Sequence, residues 1–162
     1  MPIPAVITAA ADNYRMNTGM LTKMVEDLSP EEWLRHPEGT SNHVGWIVGH
    51  VVWARGRVLA RIGTEWSKPW FDLFGRGSKC GGDIAYPSHD KFLEAWNESS
   101  LLLTSALENV TDEYLAEPSV QGPPSTDGKQ SGVISFLAIH ETYHLGQISY
   151  LRSWLGHKGF MG

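Results

Sequence analysis

The chain has 162 residues, 41% hydrophobic and 19% charged, with a formal net charge of -5 at neutral pH. That length predicts a single domain over 1–162 with one well-buried core, and that composition excludes a disordered chain. The negative balance speaks against a phosphate-backbone binder, which needs clustered Lys and Arg; the largest basic group, Arg55, Arg57 and Arg61, reads as spread around a helix and forms no stripe, so no nucleic-acid partner is expected.

Four long segments carry helical periodicity and none reads as a strand. The first predicted helix spans 5–28, with Ile7, Ala11, Tyr14, Leu21, Met24, Val25 and Leu28 on one stripe. It stops at Ser29-Pro30-Glu31-Glu32, a start signal for a new short turn. Ser29 can cap, Pro30 suits the first helical position, and Glu32 stands where a capping box wants its carboxylate. The second predicted helix spans 42–62, its stripe formed by Val44, Ile47, Val48, Val51, Arg55, Val58 and Ile62, with Gly63 as its stop.

Residues 63–87 differ in kind. Glycines and prolines interrupt regular structure there, yet Trp66, Trp70, Phe71, Phe74 and Tyr86 demand burial, so an ordered crossover with one helical turn near Trp70–Phe74 is expected. The third predicted helix spans 89–109 behind a capping Ser88, with Phe92, Trp96, Ser99, Leu103, Ala106, Leu107 and Val110 on its stripe. A polar loop at 121–130 leads to the fourth, 131–155, ended by Gly156. The segment 28–34 resembles 110–115, which points to two helix pairs of similar design and hence one four-helix bundle.

Cys80 is the only cysteine, which rules out a disulfide framework within one chain. The start of the sequence lacks a basic region followed by an apolar run, and no stretch of about 18 apolar residues can span a bilayer. A cytoplasmic location without membrane partners is therefore expected.

The sharpest chemical signal is His140-Glu141-Thr142-Tyr143-His144. Residues four apart share a helix face, so both imidazoles can point at one ion. The pattern matches the zinc-protease motif HExxH, but the extended form would need Gly at 147 and His at 150, where this chain has Gln147 and Tyr150. No Asp or Glu follows Glu141, so the alternative downstream ligand is also missing. His50 is the best third ligand: a polar ring inside an otherwise apolar run must find a partner or cost roughly 1–3 kcal/mol. Three histidines leave coordination positions open, as catalytic metal sites do. The competing reading is three core histidines bonded to carbonyls.

Gly49-His50 together with His140 through Ile148, and most specifically the HxxxHxGQ stretch, resembles the DinB-like family of small four-helix bundles. The resemblance spans nearly the whole chain. It implies an all-α bundle of mirror-variant up-and-down topology with a long aromatic and glycine-rich crossover between helices two and three. It also implies frequent homodimers and a divalent ion, zinc or nickel above all, on His50, His140 and His144. Some related proteins are S-transferases or isomerases that use a low-molecular-weight thiol of the bacillithiol or mycothiol type, and many have no known activity. A small-molecule substrate is therefore expected, with metal-assisted hydrolysis or a non-enzymatic metal-binding stress-response role as alternatives, because fold kinship does not settle a reaction.

Around these three, Glu141 is expected as a general base toward a water activated by the ion, or else as a surface or dimer-facing carboxylate. Gln147, on the ligand face, is expected to orient a ligand or substrate, or else to bond between helices. His43 lies about 10 Å from His50 along the axis and reads as a surface histidine near a cap. His36, His89 and His157 read as solvated, Gly146 as a point of close helix contact, and Cys80 as an incidental thiol. Trp66, Trp70, Phe71 and Phe74 read by default as filler beside the bundle.

Overall fold

The computed structural model describes residues 2–39 and 42–160. Its helices are α1 (Thr8–Val25), α2 (Val44–Arg61), α3 (His89–Asn109), the short α4 (Asp112–Ala116) and α5 (Gln130–Trp154). The expected long helices are all present. Three-residue 3-10 turns lie at Ala5–Ile7, Glu32–Leu34 and Phe71–Leu73. Among the described residues there is no strand, only an isolated bridge between Pro118 and Lys129. Among the described residues no helix is long and apolar enough to cross a membrane.

The local signals explain most boundaries. Ser29 and Glu32 form the reciprocal box, with the Ser29 amide donating to Glu32 at 2.8 Å and the Glu32 amide to Ser29 Oγ at 3.4 Å. Gly63 and Gly156 take φ of 85° and 91°, the left-handed conformation that ends a helix cheaply only at glycine. Ser88 differs from expectation: it precedes α3, but its side chain makes no capping bond. The short α4 has no counterpart among the predicted helices, and its cap is Thr111, which accepts the Tyr114 amide at 3.2 Å.

Helix directions follow from which residues meet. Asn17 bonds Thr142 and Arg152 bonds the Met24 carbonyl, so α1 and α5 climb in parallel. His50 meets His140 while Arg61 meets Gln130, so α2 and α5 are antiparallel. One apolar cluster joins Val44–Val52 to Phe92–Trp96, and the other joins Val58 and Leu59 to Leu103 and Leu107, so α2 and α3 are parallel. Both α1 and α2 pack against α3 and α5, which leaves α1 and α2 on a diagonal.

This corrects the up-and-down expectation, in which successive helices are antiparallel neighbours. Parallel neighbours can be joined only by a chain that runs back along the bundle, as residues 62–88 do.

That return path is packed. The Phe74 side chain is fully buried, and its ring lies where a Cβ on Gly49 would be. Phe71 does the same at Gly56, where an added Cβ would sit 2.6 Å from Cε2. Gly49 and Gly56 are seven apart, hence two turns along one face of α2, and form two seats for aromatic rings. Trp70 then closes edge-on over Phe71, Phe74 and Phe92 at 5.2–5.5 Å between centroids. Burying rings of this size contributes about 1.5–3 kcal/mol each, enough to fix an otherwise irregular segment. Gly146, by contrast, has nothing within 4 Å of an added Cβ, so it is no helix contact.

Candidate metal centre

His50 lies in the middle of α2, and His140 and His144 lie one turn apart on α5. The antiparallel α2/α5 pair brings the three Nε2 atoms together. His140 Nε2 is 3.0 Å from His144 Nε2 and 3.4 Å from His50 Nε2, and candidate donor atoms of all three rings lie within 4.8 Å of one another. His50 and His144 are buried and His140 is half-buried.

The far side of two rings is held. His50 Nδ1 lies 2.7 Å from the Phe74 carbonyl, which can only accept, so that nitrogen carries the hydrogen. His144 Nδ1 donates to Gln147 Oε1 at 2.7 Å. Both bonds leave a lone pair on Nε2, the tautomer a metal ligand needs. Trp46 and Trp53 stack on the His50 ring, at 5.0 and 5.4 Å between centroids. His140 Nδ1 is buried without a partner, so the chain fixes this ring least.

Such a cluster is not self-sufficient. A proton on His140 Nε2 can serve His50 or His144, but not both, and would leave lone pairs facing each other. Burial, reinforced by the neighbouring rings, holds His140 and His144 down to about 4, and burial also lowers His50, so added protons are poorly accepted near neutrality. A divalent cation accepts all three lone pairs, and imidazole nitrogens suit zinc and nickel alike. The three residues therefore can hold such an ion.

Glu141 is not brought to this cluster, which corrects both expectations for it. Its side chain is 2% exposed and both oxygens face Arg55, at 2.7 Å to Nε and 2.9 Å to Nη2. Arg55 also donates to Ser100 Oγ at 2.5 Å, Thr18 Oγ1 at 3.1 Å and the Tyr14 carbonyl at 3.3 Å. Its guanidinium lies 3.4 Å from the Trp96 ring centroid. The pair thus ties α1, α2, α3 and α5 together in a polar layer between the two apolar clusters. The sequence carries one clue to it: Arg55 sits inside the apolar stripe of the second helix.

Gln147 touches His144 and, through Nε2, the Tyr143 hydroxyl at 3.3 Å. His43 caps α2, as its place suggests, by accepting the Trp46 amide on Nδ1 at 2.9 Å, but it is buried and not on the surface. Burial and the nearby His36 hold its pKa down to about 4. His157 is no free solvated ring: it lies 2.9 Å from Glu32 and 3.4 Å from Asp27. Cys80 is half-buried in the crossover and outside the histidine cluster. Phe74 is more than filler, since its carbonyl orients His50.

A sequence model of the DinB superfamily matches residues 13–148, which include all three histidines. Among curated proteins, none matches the chain.

Proposed function

The chain belongs to the DinB superfamily, and from that premise we propose a metal-dependent transferase that joins a low-molecular-weight thiol to a small electrophile at His50, His140 and His144. The observation that carries the metal reading is the convergence of three Nε2 atoms whose rings are oriented from behind by Phe74 and Gln147. A divalent ion held there would supply Lewis acidity and lower the pKa of a thiol or water presented to it.

The choice of thiol over water rests on Glu141. A carboxylate beside the histidines would assist hydrolysis as a general base, and none joins the cluster among the described residues. The adjacent carboxylate is committed to Arg55. A thiol, once ionised, is a nucleophile without such a base. His50, clamped between two tryptophans, keeps its place as reactants enter and leave. The half-buried His140 gives the cluster its accessible side.

The test is elemental analysis of tag-free protein, wild type beside His50→Ala and His144→Ala, followed by thiol-conjugation assays with a panel of electrophiles. Near one equivalent of ion in wild type, little in either variant, and conjugation that follows metal content are expected. Wild type that retains no ion after divalent ions are added back would end the metal reading. Metal-dependent hydrolysis without thiol transfer would replace the reaction.

A further inference from the structure

We infer that Arg57 and Arg61 form the anion-binding end of a cleft that starts at the histidines, so that the small molecule handled there carries a carboxylate or phosphate about 10 Å from its reacting atom. The inference deepens the reading above and rests on it for the identity of the reacting end.

A surface concavity is lined by Arg57, Ala60, Arg61, Tyr114, Pro123 and Leu137. The sequence pattern suggests three arginines spread around α2. The structure instead turns Arg55 inward and leaves Arg57 and Arg61, one turn apart, in the same concavity. Like charges at this spacing repel along a helix, so their pairing gains nothing for α2 itself. No carboxylate lines the concavity, in a chain with net charge -5, and the acidic group near Tyr114 is Glu117.

The two arginines are also held differently. Arg61 Nη1 donates to Gln130 at 2.6 Å, while the Tyr114 hydroxyl donates to the Arg61 carbonyl at 2.5 Å, so this residue is anchored. Arg57 is exposed and makes no hydrogen bond or ion pair among the described residues. One fixed and one free guanidinium suit two-point recognition of a planar or tetrahedral oxyanion.

Position ties the concavity to the histidines. Arg57 is seven residues beyond His50, hence two turns along the same face of α2, and Leu137 is one turn before His140 on α5. A second concavity, lined among others by Ile47, Tyr143, Gln147 and Tyr150, lies on the opposite side of the histidines along the same helix pair. The two concavities thus flank the histidines along the α2/α5 pair, one with an aromatic lining and the other cationic, and the inferred cleft extends from the histidines toward the cationic one.

The experiment is calorimetric titration of metal-free full-length protein with succinate and with inorganic phosphate. Wild type is compared with Arg57→Gln/Arg61→Gln and with His140→Ala/His144→Ala, each checked for an intact melt. At least one anion should bind wild type and the histidine variant alike, and at least about tenfold more weakly to the arginine variant; which anion binds separates carboxylate from phosphate. In metal-loaded protein, mercaptooctanoate should bind at least about tenfold more tightly than octanethiol, an advantage lost in the arginine variant. Binding of neither anion to wild type, equal binding by the arginine variant, or loss only in the histidine variant would overturn the inference. Metal content of the same preparations judges the histidine reading by itself.

Discussion

Two neighbouring residues of α5 lead into opposite kinds of polar site. His140 turns toward His50 and His144, and Glu141 turns toward Arg55. The Arg55–Glu141 layer is closed: each carboxylate oxygen has a guanidinium donor, and the guanidinium also meets Ser100, Thr18, the Tyr14 carbonyl and the face of Trp96. The histidine cluster is open, since its converging lone pairs have too few protons to satisfy them. A saturated buried network specifies a structure, whereas an unsaturated one calls for something from outside. The motif HExxH therefore does two jobs here, and neither its carboxylate nor its spacing serves the protease chemistry it resembles.

The sharpest way to break the contrast is to remove one partner from the closed site. Arg55→Ala or Glu141→Ala should cost about 3–5 kcal/mol in denaturant unfolding, because each strands a buried charge. Arg55→Met/Glu141→Leu should recover much of that loss, and all folded variants should still take up metal. Loss of metal in the double variant, despite a native melt, would join the two sites that the geometry separates.

The open site is probed next through its support. Gly49→Ala drives a methyl into the Phe74 ring and should cost about 1–3 kcal/mol, by overpacking, in the metal-free protein. It should also weaken metal binding, since the Phe74 carbonyl moves away from His50. Gln147→Leu should leave metal-free stability nearly unchanged and weaken metal affinity about 10–100-fold, measured by competition with a chromogenic chelator. Unchanged affinity would make Gln147 a partner of Tyr143 only.

The remaining effect appears only on acidification. His43 has an ordinary pKa of 6.5 and is held down to about 4 in the fold, where its Nδ1 must stay unprotonated to cap α2. The unfolded chain takes up this proton first, so the contribution is complete above pH 6.5 and declines as pH falls toward 4. His43→Asn keeps a capping acceptor and loses the titration. In metal-free protein its stability should fall less steeply than wild type over that interval, and parallel curves would refute the assignment.

Much of this architecture is legible in the amino-acid sequence. Long stripes locate the four long helices, with glycine stops for the second and fourth, and the third takes its predicted bounds, 89–109. The histidines are legible because helical spacing converts four residues into one turn. What the sequence conceals depends on pairing across helices. Nothing local says that Gly49 and Gly56 seat rings from the crossover, that a carbonyl at Phe74 holds His50, or that Arg57 and Arg61 share a concavity with Leu137. The inward turn of Arg55 is the exception, announced by a cation in an apolar stripe.

The double duty of Phe74 has a kinetic side. Its ring fills the seat at Gly49 and its carbonyl orients His50, while His50 and His140 stand 90 residues apart in sequence. Pairing α2 with α5 closes a long loop, and the crossover must then dock before the His50 tautomer is set. A chain caught before that docking offers His140 and His144 beside a His50 whose ring no carbonyl yet orients, a weaker grip on any ion. Tight capture then depends on the crossover, and the rate at which metal becomes slow to exchange during refolding should report the docking of residues 62–88 and not the formation of helix.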